Sequence, residues 1–172
     1  VVRGEVGALL NQELAGDDSI LEVAETGGQK ILKYAIKDKI TNILNDAVDP
    51  EKSGYLENAS SISIVDTVSN LVTGGARSGD FIELIEGYLE PKAKSIASIE
   101  LLDTLATPDV IGAFNNIAGY TQTIVANLSG NSDNLLGLNA RPGDDINLKI
   151  TDEVAVDDAL LLIDKVGENS NI

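Results

Sequence analysis

Lys30-Ile31-Leu32-Lys33-Tyr34-Ala35-Ile36-Lys37-Asp38-Lys39-Ile40-Thr41-Asn42-Ile43-Leu44-Asn45-Asp46-Ala47 is the stretch on which the expected fold turns. Ile31, Leu32, Ala35, Ile36, Ile40, Ile43, Leu44 and Ala47 recur at the three- and four-residue spacing of one helix face. The spacing predicts one long amphipathic helix. Its outer face carries Lys30, Lys33, Lys37 and Lys39, a third of the 12 basic residues. A solvated helix face accounts for such a cluster. Its functional counterpart is a docking strip for an acidic partner, such as the acidic surface of another copy.

Similar spacing extends in both directions. Val2, Val6, Leu9, Leu10 and Leu14 form a stripe that stops near Gly16, and Asp17, Asp18 and Ser19 offer caps for a helix holding Ile20, Leu21 and Ala24. Downstream, Ile64, Val65, Val68, Leu71 and Val72 mark a helix closed by Gly74-Gly75, and Phe81, Leu84, Ile85, Tyr88 and Leu89 mark another. Pro91 breaks that helix and opens one with Ile96, Ile99, Leu102 and Leu105. Thr107-Pro108 starts a long one through Val110, Phe114, Ile117, Ala118, Thr121, Ile124, Val125 and Leu128, within which Gly112 and Gly119 offer room for a close helix neighbour. From Ser129 to Asp145 the chain turns rich in Gly, Asn, Ser and Asp, as loops are. Ile146, Leu148 and Ile150 then alternate with polar residues as in a strand, and Asp157 or Asp158 caps a last helix with Leu160, Ile163 and Val166. The expected fold is therefore mainly α: a single-domain bundle of roughly six to eight helices with a short β pair near the C-terminal end. Residues 1–130 read as the helical core, and 131–172 as a loop plus a strand and helix packed on the same domain. No internal repeat is read from the sequence.

The 172 residues include no His, Cys, Met or Trp. Imidazole proton transfer, thiolate nucleophiles and nitrogen- or sulfur-ligated metals are thereby excluded. Four Tyr and two Phe make the core aliphatic and supply few stacking platforms for nucleic acid. Twenty-eight acids against 12 bases give a net charge of −16, which repels phosphate backbones and anionic lipid. No strictly apolar run exceeds Ala159 to Ile163, so no membrane insertion is expected. The lack of both Cys and Met suits an oxidising extracellular or cell-surface setting. The chain begins at Val1 and reads as a processed chain or an excised domain.

Asp49-Pro50-Glu51-Lys52-Ser53-Gly54-Tyr55-Leu56-Glu57-Asn58-Ala59-Ser60 is the best local motif. It resembles the twelve-residue loop of the EF-hand family. The resemblance implies calcium held by Asp49, Glu51, Ser53 and Glu57, with the Tyr55 carbonyl as a further ligand and Gly54 at the sharp turn. Position 12 carries Ser60, where the family has a bidentate Glu. A simpler account makes Asp49 an N-cap and Pro50 the first helical residue. A second acidic group comprises Asp144, Asp145, Asp152, Glu153, Asp157 and Asp158; solvated loop acids explain it, and a shared calcium ion is the alternative. Thr73-Gly74-Gly75-Ala76-Arg77-Ser78-Gly79-Asp80 reads as a C-cap followed by an N-cap, lacking the Gly-Lys-Ser/Thr of a phosphate loop. The helical pair Glu83 and Glu86 reads as a solvated edge.

These features point to a non-catalytic secreted or cell-surface protein that acts by self-assembly or by binding a protein partner. The alternatives are a calcium-modulated binding domain using residues 49–60 and a bundle that carries a small apolar ligand. An enzyme ranks last, because acid abundance alone makes no catalytic pair.

Overall fold

The first half of the deciding stretch is a strand. In the computed structural model, which describes residues 22–26, 29–50 and 55–166, strand β1 (Glu22–Thr26) is followed by β2 (Gln29–Asp38) and helix α1 (Ile40–Val48). Tyr34 and Ile36 are buried, and Lys37 between Ile36 and Asp38 is exposed, which is the period-2 alternation of a strand with one covered face. Lys39, with φ −66° and ψ 147°, is the extended residue at which the period changes and α1 begins.

The same succession recurs. Strand β3 (Ala59–Asp66) leads into the short helix α2 (Val68–Leu71), and β6 (Ile96–Leu101) precedes α4 (Pro108–Ile117). Then β7 (Thr121–Gly130) leads to α5 (Ser132–Leu136), and β8 (Asp145–Ile150) to α6 (Val156–Val166). Between α2 and β6 lie the hairpin β4 (Val72–Thr73) and β5 (Ala76–Arg77), then α3 (Gly79–Ile82), which runs on through wide turns over Glu83–Leu89 and a tight turn at Glu90–Lys92. The six-stranded sheet has the order β1-β2-β3-β6-β7-β8. Only the β1–β2 pair is antiparallel; the five strands β2, β3, β6, β7 and β8 run parallel.

Register puts the apolar residues on one face. Ile36 lies beside Ile62, Ile64, Ile99 and Ile124 form one row across three strands, and Leu101, Ala126 and Ile146 form another. All are buried in one core with Ile40, Ile43, Phe81, Leu84, Phe114, Ile117, Leu135 and Leu162 from the helical segments. The helices therefore cover a single face, and successive crossovers step across the sheet in one direction. The opposite face is polar and partly exposed. Ser63, Ser98 and Thr123 form one row, and Val65, Glu100, Val125 and Asp145 the next. Ser98 Oγ donates to Ser63 Oγ (2.8 Å), Lys37 Nζ pairs with Glu100 (3.1 Å), and Asn147 Nδ2 donates to Asn127 Oδ1 (3.0 Å). Parallel sheets are usually covered on both faces; here no described helix covers the second.

The mainly helical bundle is thus overturned: the protein is α/β, built on a parallel sheet. Five expected helices are strand for part or all of their length. Ile31–Ala47 divides into β2 and α1, Ile64–Val72 into the end of β3 and α2, and Val110–Leu128 into α4 and β7, with a tight turn at Ala118–Tyr120 between them. Pro91 opens no new helix. Its turn ends at Ala93 in the left-handed region (φ 52°), and the chain enters β6. Glu22–Thr26, expected within a helix around Ala24, is strand. The stripe from Val2 to Leu14 lies outside the described residues. The segment after residue 130 is not a mere appendage to a helical core, since β8 extends the main sheet. The Asn- and Gly-rich stretch expected as loop holds the end of β7 and all of α5. Nothing lies within 4 Å of a Cβ built at Gly112 or Gly119. The close approach is at Gly130, where a Cβ would stand 2.8 Å from that of Ala106.

Candidate functional site

A helix leaves its first backbone N–H groups without internal partners. In this fold the missing acceptors come from the next strand along. Asp66, at the end of β3, accepts the N–H of Ile40, first residue of α1, on Oδ2 (3.1 Å). Asp103, just past β6, accepts the N–H of Val68, first residue of α2 (2.5 Å). Asp152, just past β8, accepts the N–H of Ser132, first residue of α5 (2.9 Å), and its other oxygen accepts the Ser132 hydroxyl (2.9 Å). The interior helix left over, α4, starts with Pro108, which has no N–H to offer, and Thr107 Oγ1 caps it locally from Val110 N (3.3 Å). A carboxylate at a helix N-terminus also meets the positive end of the helix dipole.

These junctions reveal an internal repeat that the sequence reading lacks. Ala35-Ile36-Lys37-Asp38-Lys39-Ile40-Thr41-Asn42-Ile43-Leu44 aligns with Ser63-Ile64-Val65-Asp66-Thr67-Val68-Ser69-Asn70-Leu71-Val72. Asp38 Oδ1 accepts from Lys39 N (2.7 Å) and Asn42 Nδ2 (2.8 Å). Asp66 Oδ1 accepts from Thr67 N (2.8 Å) and Asn70 Nδ2 (2.6 Å) in the same way. Asp66, 1% exposed, thus ties its own turn to the preceding helix.

Asp144 is, with Asp66, one of the two buried carboxylates among the described residues, at 0% exposure. It accepts the N–H of Ile124 (2.8 Å), the N–H of Arg141 (2.8 Å) and the Arg141 guanidinium (Nη2 at 2.7 Å). Arg141 Nη1 also donates to the carbonyls of Thr121 (2.9 Å) and Ala118. Arg141-Pro142-Gly143-Asp144 is therefore a staple holding the start of β7, not a loose loop.

The structure scatters the other acids of that group. Asp152 caps α5, Asp157 and Asp158 lie in the first turn of α6, and Asp145 and Glu153 are exposed. No group of three or more His, Cys, Asp or Glu side chains arranged to hold a metal ion occurs among the described residues. Of the EF-hand-like positions, Asp49 follows α1, while Glu51 and Ser53 lie outside the described residues. The Tyr55 carbonyl accepts the Tyr34 hydroxyl (2.6 Å). Glu57 is ion-paired with Lys92, whose hydrogen bond and charge hold the Glu57 carboxyl below its ordinary range. The segment after the loop is β3, not the helix expected there.

Thr73–Asp80 is the β4–β5 hairpin, with Gly74 and Gly75 at positive φ, followed by Ser78, whose Oγ caps α3 by accepting from Phe81 N (3.2 Å). Arg77 stacks 4.3 Å over the Tyr120 ring and pairs with Glu86, so it serves packing. Of the lysine cluster, Lys30, Lys33 and Lys37 lie on β2, and Lys39 is the exposed residue between β2 and α1.

Two parts of the described surface stand open. The polar sheet face is one part. The other is α6, where Leu162 and Val166 are buried but Val156, Leu160, Leu161 and Ile163 are exposed. No helix among the described residues is long and apolar enough to cross a membrane. No family model, curated protein or solved structure matches the chain.

Proposed function

We propose that this protein acts by association, as a non-catalytic interaction or structural protein of the cell exterior. The observation that carries the reading is the apolar surface of α6: Val156, Leu160 and Ile163 are 75%, 57% and 56% exposed on the outermost helix of a stack whose interior helices are covered. Contiguous exposed apolar surface on a soluble domain marks a place where something binds. Two further features agree with it. The buried carboxylates Asp66 and Asp144 are engaged by backbone N–H groups and Arg141, a structural use rather than a catalytic one. Serial β–α units, each packed on the next, resemble in plan the repeat architectures that present long binding surfaces. The absence of Cys and Met supports an oxidising location.

Sedimentation velocity over a wide concentration range, alone and with extracellular-matrix or cell-surface protein fractions, tests the reading. Reversible association with itself or with a recovered partner is expected. A strictly monomeric protein that retains no partner would contradict it.

A further inference from the structure

We propose that the loop between β6 and α4 is a docking site for a basic segment of a partner protein that also carries apolar side chains. The proposal rests on the association reading above and places a contact on a surface separate from α6.

The parallel strands all run the same way, so the loops that follow them open on one edge of the sheet. Lys39 alone joins β2 to α1, and Thr67 alone joins β3 to α2. The loop from Leu102 to Thr107 is longer, and it is fastened on both sides. Leu102 N donates to the Asp66 carbonyl (3.0 Å), and Asp103 receives the Val68 N–H. Ser129 N donates to the Thr104 carbonyl (2.8 Å) and Ala106 N to the Ser129 carbonyl (2.9 Å). Asn134 Nδ2 donates to the Ala106 carbonyl (2.9 Å). Gly130, lacking a side chain, leaves room for Ala106 against β7.

Leu101 and Ala106 are buried, while Leu102 and Leu105 between them are 45% and 66% exposed. The fold thus holds two leucines outward on a fastened loop, where they contribute nothing to the core. Binding residues commonly sit on loops held by a rigid scaffold, and a loop already ordered loses little freedom when a partner arrives.

The same edge is acidic. Asp109, Asp133, Glu153 and Asp157 are exposed there, and none is ion-paired with a described residue. Attraction to helix N-termini explains Asp109, Asp133 and Asp157, which lie in first turns. It does not explain the leucines. Lys39 is the one base in these strand-to-helix loops. Toward the opposite edge, Lys92, Lys94 and Arg141 are engaged by Glu57, the Ala59 carbonyl and Asp144. A partner complementary to the loop edge offers apolar side chains to Leu102 and Leu105 and Lys or Arg to the acids around them. A second copy, at net charge −16, brings mostly like charge to this edge.

The test titrates the full chain, observed by amide NMR, with three short synthetic peptides of equal length: alternating Lys and Leu, alternating Lys and Ser, and alternating Glu and Leu. The Lys–Leu peptide should bind, weaken with added salt, and shift the amides of residues 102–109 and 130–133 most. The other two should bind at least about tenfold more weakly. Leu102→Ser/Leu105→Ser should weaken Lys–Leu binding at least about tenfold, while Leu160→Ser/Ile163→Ser leaves it unchanged. Asp109→Asn/Asp133→Asn should weaken it at low salt. Native circular dichroism confirms that each variant folds. Failure of the Lys–Leu peptide to bind, equal binding of the Lys–Ser peptide, or a leucine-pair variant that binds as the wild type does overturns the proposal. Shifts confined to α6 overturn this site and leave the association reading standing. A chain that binds no peptide, stays monomeric and retains no partner removes both.

Discussion

Helices α1 and α6 both follow a parallel strand and both are amphipathic, yet their surroundings differ. In α1, Ile40 and Ile43 are fully buried, Leu44 is nearly so, and the first N–H is held by Asp66 from the next strand. In α6 only Leu162 and Val166 are buried, and four large apolar side chains face outward. No described strand follows β8 to supply an aspartate to α6. Three interior helices, α1, α2 and α5, are finished by a carboxylate that reaches back from a later strand, while α4 is closed by its own Thr107 and Pro108. The last described unit has the same kind of helix, with no described strand after it. Apolar periodicity alone does not distinguish the two; position in the series does.

The largest expected effect lies in the most enclosed junction. Asp144→Ala leaves Arg141 and the Ile124 N–H without their shared carboxylate, and breaking a buried pair from one side costs about 3–5 kcal/mol. Urea denaturation would measure it. Truncation within the helices should separate the two regions next: Ile43→Ala is expected to cost about 2–5 kcal/mol, because it opens a cavity in the core. Leu160→Ala, on a 57% exposed residue, should stay within about 0.5 kcal/mol in the monomer. Equal costs at the two sites would erase the contrast. The carboxylates give a narrower version of it. Asp66→Ala should cost about 2–3 kcal/mol, since it strands N–H groups at a buried junction. Asp157→Ala, in the first turn of α6, should cost less than about 1 kcal/mol.

The smallest effect concerns Glu57. Its hydrogen bond and ion pair with Lys92 lower its folded-state pKa, so the contribution is complete above its unfolded value of about 4.3 and fades as pH falls through the lower folded value. Because this pair lies in solvent, Glu57→Gln should alter the acid limb of a melting curve only slightly. A collapse of stability near neutral pH in that variant would show that the loop does more than the structure indicates.

Much of the second half of the fold is readable from residue pattern. The helical run Phe81–Leu89, the Thr107-Pro108 start and the alternating β8 correspond to observed elements, and so does the last helix, although it starts at Val156 with Asp157 and Asp158 in its first turn rather than capping it. The central strands are not recovered, for a definite reason. A strand places apolar residues at i−2 and i, and a helix starting just after it adds i+4 and i+7. Joined at an aspartate, as in Ile36-Lys37-Asp38-Lys39-Ile40-Thr41-Asn42-Ile43, the two periods imitate one helix. The discriminating signs were polar residues between apolar ones, Lys37 after Ile36 and Ser63 between Ile62 and Ile64. In the candidate site, aligning Asp38 with Asp66 would have exposed one repeat. Asp103 and Asp152 stay hidden because their units have different loop lengths. The bond from each aspartate to the previous helix depends on strand register, which a linear sequence does not display.

Amide hydrogen exchange tests the central claim, that a strand-end aspartate holds the helix before it. In Asp66→Ala, the Ile40 amide should lose at least about tenfold in protection, while those of Val68 and Ser132, held by Asp103 and Asp152, change much less. Unchanged protection at Ile40, or an equal loss at all three amides, would contradict the account.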